Sequence, residues 1–108
     1  MDFKDLTLYI KKLDLERVGL DSLQQLIQTL ILTDKFLDGY QLDLVTFKYC
    51  RHEIRMLDSN KTDCILVRFN LYSPQRKFDN SIGYYDYLVN LDGKFLDEFF
   101  VFNQEANN

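Results

Sequence analysis

Residues 82–102, IGYYDYLVNLDGKFLDEFFVF, constrain the fold more than any other stretch of the chain. Asp92-Gly93 sits between two alternating apolar runs, the strongest short-range signal for a β-hairpin. Residues 82–91 and 94–102 are therefore expected to be two antiparallel strands. A two-residue type I′ turn pairs residues whose numbers sum to 185. One face then carries Tyr85, Tyr87, Val89, Leu91, Leu96, Glu98, Phe100 and Phe102, and reads as core. The other carries Tyr84, Asp86, Leu88, Asn90, Phe95, Asp97, Phe99 and Val101, aromatic mixed with acid. A three-residue loop with Gly93 in a bulge shifts the sum to 184 and sets Asp86 opposite Glu98. Like charges facing each other are unfavourable, which favours the first register. Neither register leaves a polar face, so the hairpin is either covered on both sides or kept open for a partner.

Upstream, Phe3, Leu6, Ile10 and Leu13 fall on one helical face, although Leu6, Leu8 and Ile10 also alternate as in a short strand. Residues 14–19 read as a connection broken at Gly19. Residues 21–38 read as the main helix, with Asp21 and Gln24 as a capping box. Leu23, Leu26, Ile27, Leu30 and Leu37 form its stripe, and Gly39 stands at its end. Residues 42–57 fit a helix through Phe47, Cys50, Ile54 and Leu57, but Val45 to Tyr49 and Glu53 to Met56 alternate. A strand bulged near Arg51 is favoured. Residues 64–72 read as a strand and residues 73–81 as a loop holding the only proline, Pro74. The expected fold is α+β, one domain over residues 1–108. N-terminal helices pack on a mainly antiparallel three- to four-stranded β-meander.

Charge narrows the function classes. The formal net charge is −4 at pH 7, which disfavours direct contact with a nucleic-acid backbone. The distribution is uneven. Residues 45–77 hold seven bases against three acids, and residues 78–108 hold six acids against Lys94. No apolar run approaches the length of a membrane span. The N-terminus lacks a basic leader, so a cytoplasmic protein is expected, with Cys50 and Cys64 as reduced thiols. His52, the single histidine, would share a strand face with Cys50, but no third group orients such a pair. No phosphate-binding, zinc-protease or calcium-loop motif occurs. The expectation is a non-enzyme without cofactor or metal.

Tyr84-Tyr85-Asp86-Tyr87 and Asp97-Glu98-Phe99-Phe100, in a short acidic domain, carry a resemblance. In kind, though by no defining motif, the chain resembles the small bacterial immunity proteins of contact-dependent growth-inhibition and polymorphic toxin systems. The resemblance covers about a fifth of the chain. It implies a cytosolic inhibitor that neutralises a cognate toxin, for instance a nuclease whose basic site holds phosphates. It also implies that Tyr84, Tyr85, Asp86, Tyr87, Asp97, Glu98 and Phe99 are partner contacts. The basic segment 45–77 has no role in that picture. Two other classes stay open. One is an adaptor or small regulatory subunit, phage-encoded or otherwise, docking by the same patch or a sheet edge, with homodimerisation open to it. The other is an α+β domain holding a small molecule in an aromatic interior.

Overall fold

The computed structural model describes residues 3–34, 36–37, 39–57, 62–74 and 81–102. Two helices, α1 (Phe3–Leu13) and α2 (Leu15–Thr33), lead into a small hairpin of β1 (Phe36–Leu37) and β2 (Tyr40–Gln41). A turn of 3-10 helix, Leu42–Leu44, then precedes β3 (Thr46–Leu57), β4 (Thr62–Tyr72), β5 (Gly83–Asn90) and β6 (Phe95–Phe102). The last four strands form one antiparallel meander in the order β3-β4-β5-β6. The fold is α+β, with the helices on one face of that sheet.

The central strands explain the core. On β4, Ile65, Val67, Phe69 and Leu71 point to the helices, and on β5 Tyr85, Tyr87 and Val89 do the same. Leu6, Ile10, Leu15, Leu23 and Ile27 close over them from α1 and α2. Cys64, Leu66 and Leu88 form a smaller buried cluster on the opposite face. A strand buried on both sides loses the apolar–polar alternation of a half-solvated one, as residues 64–72 do.

The helical region departs from the expected boundaries. Residues 15–19 are helical, so α2 begins at Leu15 and Asp21 and Gln24 lie inside it rather than at a cap. The break is one residue, Asp14, in the left-handed region at φ 55. Its Oδ2 accepts from Arg17 Nε at 2.6 Å. Gly19 is needed for packing rather than for a turn. A Cβ there would lie 3.0 Å from Phe69 Cε2 and 3.5 Å from Tyr87 Cδ2. Residues four apart, Leu15, Gly19, Leu23 and Ile27, make the buried stripe. The helix ends at Thr33, so Leu37 belongs to β1 and Gly39, at φ 85, to the following hairpin.

Residues 42–57 resolve as the favoured strand, β3, after the 3-10 turn. The register shifts between Tyr49 and Arg51, where the bulge was expected. The 82–102 hairpin combines both registers. Asn90 N–H donates to Lys94 O and Gly93 N–H to Asn90 O, each at 2.9 Å, which closes a three-residue loop with Gly93 at φ 85. The type I′ turn is therefore corrected to a loop with a glycine bulge. Asn90 Oδ1 accepts from the Asp92 and Lys94 amides and fills the turn. Val89 pairs with Phe95, a sum of 184, but Leu88 pairs with Asp97 and Gly83 with Phe102, a sum of 185. Leu96 is the extra residue of a second bulge. It sets Phe99, not Glu98, opposite Asp86.

Candidate functional site

The acid at the centre of the hairpin is met from within. β4 places Arg68 directly across from Asp86 of β5. Its guanidinium donates through Nε to Oδ1 at 2.6 Å and through Nη2 to Oδ2 at 2.7 Å. The same guanidinium lies 3.9 Å from the centre of the Tyr84 ring. Asp86 is only 2% exposed. The hydrogen bonds to Asp86 raise the Arg68 pKa, so the guanidinium stays charged. This corrects the picture of Asp86 offered outward beside Tyr84, Asp97 and Phe99. A buried carboxylate needs a compensating charge, and a neighbouring strand supplies it.

Glu98, on the helix side, is built differently. The Tyr85 hydroxyl lies 2.6 Å from Glu98 Oε1 and 2.9 Å from Ser22 Oγ of α2. A carboxylate can only accept, so the phenol donates to Glu98 and Ser22 donates to the phenol. Tyr85 is fully buried, and burial together with the Glu98 hydrogen bond holds its pKa well above the ordinary phenol value. Burial and the negative charge of Glu98 also raise the pKa of Tyr87. Among the described residues no lysine or arginine pairs with Glu98 or Asp97.

The seven expected contact residues therefore divide. Tyr85, Asp86 and Tyr87 are buried and committed to internal contacts. Tyr84 is half-buried under Arg68, and Glu98 is half-buried with its chain neighbour Asp97 exposed. Phe99 is 46% exposed. Two residues outside the expected set join them on β6, Phe95 at 53% and Leu96 at 39% exposure. The three-residue loop pairs Phe95 with Val89 and so turns it to the helix side, where its ring meets Tyr87 at a centroid distance of 5.6 Å. Phe95 had been expected on the face of Asp86, where a two-residue turn would have placed it. The role of Arg68 as the counter-charge of Asp86 was missed as well. Its signal was the excess of bases in residues 45–77 beside the acids of the next strand.

A groove of about 420 Å³ opens between α2 and the β5–β6 pair, with Glu98, Tyr87 and Phe95 on one wall and Ser22, Gln25 and Asp21 on the other. A second, of about 360 Å³, lies where the start of α2 meets Phe47, Tyr49 and Phe69. The β3 bulge puts His52 on the side of Tyr49, whose hydroxyl hydrogen-bonds its Nδ1. His52 thus does not share the regular alternation with exposed Cys50. Among the described residues no cluster of three metal-ligating side chains forms, and no helix is long and apolar enough to cross a membrane. Comparison with protein-family models, curated proteins and solved structures returns no significant match.

Proposed function

We propose that this chain is a non-catalytic binder of a basic protein, of the toxin-neutralising immunity kind, and that it docks along β6. The observation that supports this reading is the character of that strand. β6 is an edge of the sheet, and Phe95, Leu96 and Phe99 are exposed along it with Asp97 and Glu98 between them and no base within the strand. Edge strands are commonly protected by lysine, proline or strong bulging. Among the described residues the protection is a bulge at Leu96 and the flanking Lys94. An edge of this kind accepts a partner strand through its main chain, while aromatic anchors give affinity and acids select a basic surface.

The experiment is affinity capture of the tagged chain from the cells that make it, beside an Asp97→Lys/Phe99→Ser variant. Both side chains are exposed, so the variant should melt with the wild type. The reading expects one stoichiometric basic protein that is lost with the variant and whose activity the wild-type chain inhibits. Equal capture by both proteins, or none, would remove β6 from the account. A chain that instead sediments as a dimer through this edge would replace the toxin by a second copy.

A further inference from the structure

The two acids that face opposite sides of the hairpin have unequal partners, and the difference identifies a site. Asp86 is paired by Arg68, whose guanidinium also lies over the Tyr84 ring. Glu98 lies beside the Tyr87–Phe95 ring pair, and no arginine or lysine of the described chain reaches it. We propose that the groove between α2 and the β5–β6 pair receives one arginine side chain of the protein partner, with Glu98 as its counter-charge and the Phe95 ring as its stacking surface. This rests on the reading above, in which a basic protein docks along β6.

Three features carry the assignment. Glu98 Oε1 is taken by Tyr85, which fixes the carboxylate, while Oε2 accepts no hydrogen bond among the described residues. Asp21, on the opposite wall, is already held by Arg17 Nη1 at 3.0 Å, so Glu98 is the acid left to pair. Phe95 stays 53% exposed although its ring meets that of Tyr87, and it lines the groove beside Glu98. The groove, of about 420 Å³, is shallow and open to solvent, so a side chain can lie along it beside these groups. A guanidinium suits it better than an ammonium. It is planar, stacks on an aromatic face, pairs with a carboxylate through parallel N–H groups and is more weakly hydrated. Gln25 and Ser22 add polar atoms to the α2 wall.

The test is an amide-resolved NMR titration of the full chain with N-acetyl-arginine methylamide, with the lysine analogue in parallel. One residue of this size should saturate with a Kd of order millimolar. The expected result is a set of saturating shifts confined to Ser22, Gln25, Tyr87, Phe95 and Glu98. The lysine analogue should bind several-fold more weakly. Glu98→Gln keeps an acceptor for Tyr85 and should weaken the arginine probe about tenfold. Phe95→Ala, at an exposed position, should weaken it without unfolding the chain. Shifts that never saturate, that spread over the acidic surface, or that persist unchanged in Glu98→Gln would overturn the proposal. So would equal binding of the lysine analogue. If the titration fails while Asp97→Lys/Phe99→Ser still abolishes capture, the groove is wrong and the β6 reading stands. If the probe binds but that variant captures the partner as well as wild type, the occupant is not an arginine of a protein docked on β6, and the proposal falls.

Discussion

Replacing Arg68 by methionine should destabilise the protein by about 3–5 kcal/mol, the usual effect of removing one member of a buried ion pair. The structure puts this site in that class. The contact is bidentate at 2.6 and 2.7 Å, and the side chains of Arg68 and Asp86 are 18% and 4% exposed. Methionine keeps much of the stem over Tyr84 but leaves the Asp86 carboxylate buried without its base. A domain of this size has roughly 5–15 kcal/mol of stability in all, so the variant is near the limit of folding. At about 4 °C per kcal/mol, its Tm falls by roughly 12–20 °C. Urea unfolding followed by far-UV circular dichroism measures the change, with the m-value reporting whether the transition stays two-state. The companion variant carries Arg68→Met with Asp86→Leu. Apolar side chains of similar volume relieve the unpaired charge, so the double substitution should recover most of the loss and end within about 1–2 kcal/mol of wild type. A single-variant cost below about 1 kcal/mol would place the pair among weak surface ion pairs and refute the reasoning. A double variant as unstable as the single one would refute it equally.

Two further outcomes follow from particular contacts. Gly83→Ala should cost at least about 2–3 kcal/mol, because a Cβ at Gly83 would lie 2.0 Å from the Val101 carbonyl oxygen and 2.8 Å from Phe102 Cα, forcing β5 and β6 apart; thermal melting that matches wild type would contradict this. Tyr85→Phe should cost about 1–2 kcal/mol by leaving Ser22 and Glu98 without the phenol. It also has a pH signature. A phenol whose pKa is raised on folding contributes stability in full below its unfolded value near 10, and that contribution is lost as pH climbs towards the higher folded value. Wild type should therefore lose stability above about pH 10, and Tyr85→Phe should lose less of it. Parallel alkaline curves for the two proteins would show that Tyr85 is not the group responsible.

The alternating runs and the Asp92-Gly93 turn were enough to define the α+β class, the meander order and the hairpin, because periodicity and turn chemistry act within a few residues. The β3 bulge was legible for the same reason, as a break in alternation near Arg51. The start of α2 was not. Glycine reads as a local breaker, whereas Gly19 is required by the Phe69 and Tyr87 rings that approach from 50 and 68 residues later in the chain.

The site divides along the same line. Composition and order alone determined that acid and aromatic residues would concentrate on one hairpin, behind a segment rich in base. Which acid meets a base of its own chain and which does not depended on cross-strand register, and register joins residues far apart in sequence. The three-residue loop pairs Phe95 with Val89 on the helix side, and the extra residue at Leu96 then sets Phe99 opposite Asp86. The β4–β5 pairing then brings Arg68 onto Asp86, while Tyr85 and Ser22 hold Glu98 without neutralising it. Side chains in a sheet alternate with a period of two, so a shift of one residue exchanges buried for exposed. Only the assembled sheet decides which of the two applies.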